Sequence, residues 1–313
     1  MIYTLTLNPA VDKEYTVPRL VMDEVLRASE TRVDNGGKGF NVSRMLAALG
    51  TQSTAVGLVG GHNGALLSEG LEDAGIHTDF VPVNGETRTN ISIVDETLAH
   101  HIKVNEAGPA VSEGEIATLM SKIASLLKPG DYWVLAGSLP PGTPKDIYAR
   151  IIRVVQESGA RAVLDSSGEP LRLGCQAGPY LAKPNTIEAS QITGKPSETV
   201  EEMSRITPEL HAMGVKVAVI SAGKKGALLS DGKLQWFGHP PAVEEHNPIG
   251  AGDAMVAGLV WKLAQGKEPS TALRWGLACG AAAASQPGTG MAAKEIIEGL
   301  FSKTRLKLVK DAF

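Results

Sequence analysis

The sequence predicts an α/β fold, a three-layer α/β/α sandwich with a mainly parallel β-sheet and a small β-sheet lid. Strand-like and helix-like segments alternate through most of the 313 residues, which is typical of parallel strands joined by helices on both faces of a sheet. Two segments, at about 10–34 and 86–105, instead contain short strand-like pieces without a helix. We therefore expect these two segments to form the lid. Lids of this kind exclude water from a reaction centre.

The strand candidates are short apolar runs, and the helix candidates have apolar residues at helical spacing. In chain order, strands are predicted at residues 2–7, 53–59, 132–135, 162–165, 180–183 and 215–221. Helices are predicted at 39–49, 63–74, 112–127, 144–157, 197–213, 250–264 and 270–285. The segment 86–105 predicts a hairpin that turns near residues 95–97. Since no low-complexity linker interrupts the pattern, we expect residues 1–313 to form a single domain.

Composition excludes several classes of protein. Hydrophobic residues make up 43% of the chain and charged residues 20%, values typical of a globular protein. No apolar run reaches the roughly 18 residues that a membrane span needs, and the N-terminus has no basic segment followed by a cleavage signal, so we expect a cytoplasmic protein. The formal charge of −4 and the absence of a basic cluster argue against nucleic acid as a partner. The two cysteines are too few for a disulfide framework.

A glycine-rich turn at residues 247–253 leads into the apolar helix predicted at 250–264. Gly250 and Gly252 tolerate positive φ, so the N–H groups of the turn can converge on one point at the positive end of the helix dipole. Such a turn binds anions. Asp253 adds a carboxylate, which we expect to be ionised and able to accept a proton or orient a hydroxyl. A plain helix start with an acidic first turn has the same residues and no chemistry.

A second glycine cluster, at residues 36–39, precedes the helix predicted at 39–49. It is not a Walker A loop, because Gly39 follows Lys38 where Ser or Thr should bind Mg²⁺. The glycines allow the backbone to approach a ligand closely, and Lys38 and Asn41 place donors in the same space. This combination suits sugar hydroxyls, whereas a simple helix start explains the glycines alone.

Three further patterns have both a functional and a structural interpretation. Asn185 and Glu188 share the first turn of a helix, where they could hold a hydrated Mg²⁺ or simply begin the helix. The small-residue loop at 221–229 suits a flat ring or a phosphate, but also suits a β-hairpin turn. Arg88 lies on a predicted lid strand; arginine binds phosphate through two parallel hydrogen bonds, although an arginine on an edge strand is often only a surface residue.

In their order and spacing, these segments resemble the ribokinase-like, PfkB-type carbohydrate kinases. The segments that carry the resemblance are GGKGFNVSRMLAALG at 36–50, KPNTIE at 183–188, SAGKKGALL at 221–229 and NPIGAGDAMVAG at 247–258. The segments at 4–12, 85–91, 103–109 and 135–142 are similar to the hexose-phosphate branch, which contains 1-phosphofructokinases and tagatose-6-phosphate kinases. The residues 247–249 before Gly250 depart from the pattern of many members and favour tagatose 6-phosphate as an alternative substrate.

The resemblance implies a role for each matched residue. It makes Asp253 the catalytic base, within an anion hole formed by the N–H groups of Gly250, Ala251, Gly252 and Asp253. For the sugar it implies Asp12, Gly37, Lys38 and Asn41, and for the phosphate that the sugar already carries it implies Arg88. For the nucleotide it implies Lys183, Asn185, Ser221, Gly223 and Gly226. Glu188 would bind Mg²⁺ through water.

The resemblance therefore implies a kinase that uses ATP and Mg²⁺ to phosphorylate fructose 1-phosphate to fructose 1,6-bisphosphate. Tagatose 6-phosphate and fructose 6-phosphate are the alternative acceptors. A sugar-phosphate or nucleotide sensor on the same scaffold is the alternative that is not an enzyme. Because exposed strand edges invite pairing, we also expect a homodimer formed through the lid, with no membrane or nucleic-acid partner.

Overall fold

The chain folds around two β-sheets. The computed structural model describes residues 1–97, 101–286, 288 and 290–309. The strands of these residues are β1 Ile2–Thr6, β2 Ala10–Val17, β3 Glu30–Gly36, β4 Thr54–Val59, β5 His77–Pro82, β6 Arg88–Asp95, β7 His101–Asn105, β8 Tyr132–Ala136, β9 Arg161–Asp165, β10 Leu181–Ala182, β11 Val217–Ser221, β12 Ala227–Ser230, β13 Gln235–His239 and β14 Arg305–Val309. The helices are α1 Lys38–Ala48, α2 Gly61–Asp73, α3 Glu113–Leu126, α4 Ile147–Glu157, α5 Gly168–Gln176, α6 Thr186–Thr193, α7 Val200–Ala212, α8 Ala251–Ala264, α9 Pro269–Ala284 and α10 Lys294–Lys303.

The large sheet has the strand order β14-β13-β12-β11-β10-β9-β8-β1-β4-β5 in the described part of the chain. From β5 to β11 every neighbouring pair is parallel, and β12, β13 and β14 add antiparallel strands at one edge. Parallel neighbours end at the same edge of a sheet, so the loops after these strands are brought together there. The motifs at 183–188 and 221–229 lie on those loops, whereas the glycine clusters at 36–39 and 250–252 follow β3 of the small sheet and the antiparallel strand β13.

Helices cover both faces of the large sheet, and the alternation of side chains along β8 shows why. Trp133 and Leu135 pack into the core under α3, α4 and α5, whereas Val134 and Ala136 pack into the core under α1, α8 and α9. A strand with both faces buried reads as a continuous apolar run, as residues 132–136 do. The predicted α/β architecture is therefore confirmed.

The small sheet has the order β3-β2-β6-β7 and stands beside the large one. Its strands come from the two segments that the sequence predicted, and β2 pairs in parallel with β6. Alternate residues of a strand face opposite sides. On one face lie Asp12, Asp34 and Asn90, which are paired across β2, β3 and β6. That face lines one side of a cleft. Residues 247 and 249 line the other side, and they belong to the large sheet with its covering helices and loops, here called the large unit.

The sequence prediction missed several elements. Strand β13 was missed, strand β12 was implied only by the hairpin interpretation of the loop at 221–229, and β5 carries polar residues that obscure its pattern. Helix α6 was predicted only through its first turn, because its eight residues are too few to show a helical period. Helices α5 and α10 and strand β14 were also missed. No helix of the described residues has the length and apolarity needed to cross a bilayer.

Candidate active site

Helix α8 begins at the glycine turn that the sequence singled out. Gly250 is the N-cap, with φ of 79° in the left-handed region, where a residue with a side chain would be strained. No side chain caps this helix among the described residues, so the first N–H groups of α8 have no side-chain acceptor. A Cβ added at Gly252 would lie 3.6 Å from the Lys183 ammonium. The Ala251 N–H donates to Pro248 O at 3.2 Å, so the turn offers the other amide donors and a cation to an anion.

Asp253 lies in the first turn of α8 and is buried. Its Oδ2 accepts a hydrogen bond of 2.8 Å from Asn41 Nδ2, which leaves Oδ1 for a substrate. Burial, followed by the negative charge of Asp165, raises the pKa of Asp253 to about 6, while Lys38, Asn41 and Lys183 oppose the rise. The sequence analysis expected an ionised acid. Because burial outweighs the cations, Asp253 loses its proton near pH 6 instead of far below it.

Asp165, at the end of β9, is a site residue that the sequence analysis did not select. Its Oδ1 accepts a hydrogen bond of 3.0 Å from Lys38 Nζ, and Lys183 Nζ lies 3.3 Å from Oδ2. Burial disfavours the charged carboxylate, but Lys183 and Lys38 overcome that effect and hold the pKa of Asp165 below its usual range. Its only signal in the sequence is a lone acid at the end of a buried strand.

The glycines at 36–39 bring α1 close to β1. A Cβ at Gly39 would lie 2.6 Å from Thr6 Oγ1 and 2.9 Å from Leu5 O, and a Cβ at Gly37 would lie 3.0 Å from Thr6 Cγ2. The distances at Gly39 are too short for a real side chain, so that glycine is required by helix packing, whereas the contact at Gly37 is only tight. That packing places Lys38 and Asn41 at the edge of the sheet, beside Asp165 and Asp253 respectively.

Two of the predicted sugar-binding residues lie on the small sheet. Asp12 is half-buried, and its Oδ1 accepts a hydrogen bond of 2.8 Å from Asn90 Nδ2. Burial raises the pKa of Asp12, while Asn90 and Arg88 oppose the rise. A Cβ at Gly36 would lie 2.3 Å from Asp12 Oδ2, so that glycine makes room for the carboxylate.

Arg88 donates to main-chain carbonyls in this structure. Its Nη1 is 2.9 Å from Glu106 O, its Nη2 is 3.0 Å from Asn8 O and its Nε is 3.4 Å from Pro9 O. The contacts with Asn8 and Pro9 tie β6 to the segment through which the chain passes from β1 to β2, and the contact with Glu106 ties it to the end of β7. An arginine has five N–H donors, so the guanidinium retains donors for a phosphate.

The cleft between the small sheet and the large unit is lined by charged and polar side chains. The lining residues on the small sheet carry both signs of charge, and they are Asp12, Lys13, Glu14, Arg32, Asp34 and Lys103 together with the neutral Ser92. Asn247 and Ile249 line its other side, directly before the glycine turn. A polar ligand in this cleft would therefore reach toward Asp253.

Asn185 and Glu188 form a capping box at the start of α6. Asn185 Oδ1 accepts from the Glu188 N–H, and Glu188 Oε2 accepts from the Asn185 N–H, both at 2.8 Å. The structural interpretation of this pair is thus correct, and it leaves the second carboxylate oxygen of Glu188 outside the box. One carboxylate suits Mg²⁺, which usually keeps several waters. The described residues contain no cluster of three or more His, Cys, Asp or Glu for a metal.

The loop at 221–226 connects antiparallel strands, as the hairpin interpretation of the sequence expected. Ser221 ends β11 and forms a parallel bridge with Asn185, so the predicted nucleotide residues on β10–α6 and β11 lie side by side. Gly226 has φ of 129°, and a Cβ there would lie 2.2 Å from Gly238 O. Gly223 has positive φ and open space around it. Gly226 is therefore required by the fold, whereas Gly223 faces room for a ligand.

Comparison with known proteins decides the family. A family model of the pfkB family carbohydrate kinases matches residues 3–296. The chain belongs to the PfkB family of carbohydrate kinases. It is 37% identical over 260 residues to a 1-phosphofructokinase of Xanthomonas campestris, covering 82% of both chains. It is 33% identical over 308 residues to the 1-phosphofructokinase of Bacillus subtilis, covering 98% of this chain and 99% of that one.

Solved structures support the same assignment and confirm the ribokinase-like fold. Phosphofructokinase-2 of Escherichia coli, in complex with fructose-6-phosphate, has a TM-score of 0.90 and 30% identity, and the match covers 96% of this chain and 98% of that one. This PfkB protein is therefore a carbohydrate kinase, a phosphotransferase that acts on a sugar hydroxyl. Kinases of the family use ATP.

Proposed function

We propose that this PfkB kinase is a 1-phosphofructokinase, which transfers a phosphoryl group from ATP to the free primary hydroxyl of fructose 1-phosphate. The observation that carries the proposal is Asp253, a buried carboxylate oriented by Asn41 at the uncapped glycine start of α8. A base and an anion site within one helical turn suit phosphoryl transfer to a hydroxyl. The 1-phosphofructokinases among its relatives, at 33–37% identity, support this choice of sugar.

In the proposed reaction, Oδ1 of Asp253 accepts a hydrogen bond from the acceptor hydroxyl and takes its proton late. The hydroxyl oxygen forms a bond to the γ-phosphorus as the bond to the leaving ADP breaks. The N–H groups of Gly250, Ala251, Gly252 and Asp253 stabilise the charge on the group in transit, and Lys183 lies beside them. Positioning and charge stabilisation supply most of the acceleration in such transfers.

The remaining predicted residues divide between the two substrates. We propose that Asp12, Gly37, Lys38 and Asn41 bind the sugar and that Arg88 binds its existing phosphate. We propose that Asn185, Ser221 and Gly223 contact the nucleotide, with Gly226 shaping that loop. Glu188 would hold Mg²⁺ through water, and the ion would neutralise charge on the ATP phosphates.

The choice between ketohexose phosphates can be tested directly. ADP release should be measured with fructose 1-phosphate, fructose 6-phosphate, tagatose 6-phosphate and ribose, and we expect the highest kcat/KM for fructose 1-phosphate. The similarity to phosphofructokinase-2 of Escherichia coli makes fructose 6-phosphate the second candidate. A higher kcat/KM for another sugar would reassign the substrate, and ATP binding without turnover on any sugar would favour a sensor.

We further propose that residues 1–313 form one kinase domain, in which the small sheet acts as the lid, and that two copies pair through that sheet. The face of the small sheet turned away from the cleft carries an apolar patch, in which Ile91 pairs with Val104 and Ile93 pairs with Ile102, and Lys13 lies beside Val33 and Ile91 on the same face. Val33 and Val104 are 56% and 57% exposed there. A second copy would offer the same patch. The cytoplasmic location expected from the sequence stays a prediction.

A further inference from the structure

Asp165 has contacts that the proposed reaction does not yet use. Its carboxylate is 1% exposed and lies at the end of β9, between the loop that starts α1 and the loop that starts α6. Lys38 reaches it from the first of these loops and Lys183 from the second, at 3.0 Å and 3.3 Å. One carboxylate thus joins the predicted sugar side and the predicted nucleotide side of the site.

The two lysines differ in their access to ligands. The Lys38 side chain is 40% exposed, so its ammonium can bind Asp165 and a substrate together. Lys183 is buried, and its ammonium lies beside the position of a Cβ on Gly252, next to the anion turn. A lysine ammonium has three donors on a flexible stem, so its position depends on its fixed partner.

We propose that Asp165 is a positioning residue of phosphoryl transfer, whose carboxylate holds the ammonium groups of Lys38 and Lys183 on either side of the transfer site. The inference rests on the proposed function, since it assumes that transfer occurs at the Gly250 turn. Asp165 itself touches neither substrate. Its effect is transmitted through the two lysines and through its charge.

Charge provides a second consequence. Asp253 is surrounded by Asp165 from β9, Lys38 from α1 and Lys183 from the loop after β10, with the neutral Asn41 as hydrogen-bond donor. The two carboxylates and the two ammonium groups balance. Removing the charge of Asp165 leaves both cations to act on Asp253 without compensation, so that Asp253 becomes a stronger acid.

The test is the pH profile of kcat/KM for Asp165→Asn, with the substrate that wild-type enzyme prefers. Asparagine keeps the size and one oxygen but lacks the charge. We expect kcat to fall on the order of tenfold to a hundredfold, because misplaced groups at a reacting centre cost this much, and the acid limb to move to lower pH. An unchanged limb, or one at higher pH, would overturn the proposal.

Two sets of variants complete the experiment. Asp131 is a matched control: it is buried, pairs with the N-terminal ammonium at 2.8 Å and precedes β8 at the opposite edge of the sheet. Asp131→Asn should lower thermal stability and leave the acid limb in place. Lys38→Met and Lys183→Met should move the limb to higher pH, opposite to Asp165→Asn. If Asp165→Asn does not fold, an unmoved limb in both lysine variants would overturn the proposal.

The outcome also distinguishes this proposal from the proposed function. A wild-type chain that phosphorylates no sugar would refute the function before any variant is compared. An active wild-type chain with the acid limb unaffected by Asp165→Asn would refute only the role of Asp165.

Discussion

The groups around Asp253 shift its pKa in opposite directions. Burial and the negative charge of Asp165 favour the neutral acid, whereas Lys38 and the Asn41 hydrogen bond favour the carboxylate. The balance places its pKa at about 6. A base with a pKa just below neutral is ionised at neutral pH and can still take up a proton, which is the compromise that general-base catalysis needs.

The first prediction concerns this carboxylate. Asp253→Asn keeps the shape and the contact with Asn41 but removes the base, so we expect kcat to fall on the order of a hundredfold or more with the far-UV circular dichroism unchanged. In wild-type enzyme, kcat/KM should fall as pH drops through about 6, because the raised pKa leaves Asp253 protonated below that value. Near-normal turnover of the variant would remove Asp253 from the mechanism.

The second prediction concerns Arg88, which was expected to bind phosphate and donates to Asn8, Pro9 and Glu106 carbonyls in the structure. Arg88→Ala should raise KM for the sugar phosphate far more than KM for ATP, and should also lower the melting temperature. Arg150→Ala, on the exposed side of α4, is the control and should change neither KM. If Arg88→Ala lowers only the melting temperature, Arg88 is a structural tie.

The sequence indicated single candidate residues most clearly where a polar side chain of a suitable type stands next to a glycine-rich turn. Asp253 and Asn41 stand beside glycine turns, and both were selected from the sequence. Asp165 was missed because a lone acid after a buried strand has no local pattern, and its significance depends on Lys38, which is 127 residues away in the chain. The sequence does not indicate the hydrogen bonds of Arg88 to carbonyls either, since they depend on the path of the chain between β1 and β2.

Helix α6 begins with a capping box, a motif that also begins a helix with no proposed catalytic or binding role. Asn185 and Glu188 form a capping box, and Thr199 with Glu202 form the same box at the start of α7. The spacing therefore predicts a helix start and says nothing by itself about a metal. What distinguishes α6 is its place beside Ser221, which only the folded chain shows.

The third prediction uses this repetition as a control. Glutamine at the third helical position also completes a capping box, so Glu188→Gln and Glu202→Gln should have similarly small effects on stability. Only Glu188→Gln should raise the Mg²⁺ concentration needed for half-maximal rate, because it removes the carboxylate from the site. An equal Mg²⁺ requirement in both variants would count against a metal role for Glu188.

The fourth prediction separates the two glycines of the β11–β12 hairpin. Gly223→Ala should cost about 1 kcal/mol of unfolding free energy through its positive φ alone, because no atom lies within 4 Å of the added Cβ. Gly226→Ala should cost much more, since its Cβ would lie 2.2 Å from Gly238 O. Urea unfolding measures both. Equal losses of unfolding free energy in the two variants would mean that β13 shifts to accommodate the added Cβ at little cost.

At the scale of the whole molecule, the alternation of segments was sufficient to predict the sheet with helices on both faces and the two excursions that build the small sheet. The antiparallel edge of the large sheet was not predictable in the same way. Strands β12 to β14 are held by register with one another, and β14 joins from the far end of the chain. The pairing of β13 with β14 across that separation leaves no periodic signal in the sequence.

The fifth prediction concerns assembly. Light scattering should give twice the mass of one chain, and Val104→Asp should reduce it toward a single mass, because a charge would be buried between two apolar faces. Leu234→Asp is the control: Leu234 is 43% exposed in the β12–β13 turn and should leave the mass unchanged. A wild-type monomer would refute pairing through the small sheet.

The parallel pairing of β2 with β6 also bears on how the chain reaches its native state. Asp12 and Asn90, which face each other across this pair, are 78 residues apart in sequence. Contacts of such separation require a large loop to close first, and they form slowly. The small sheet should therefore gain protection from hydrogen exchange late in refolding, after β4, α2 and β5 have docked, so that catalytic activity returns after most of the secondary structure.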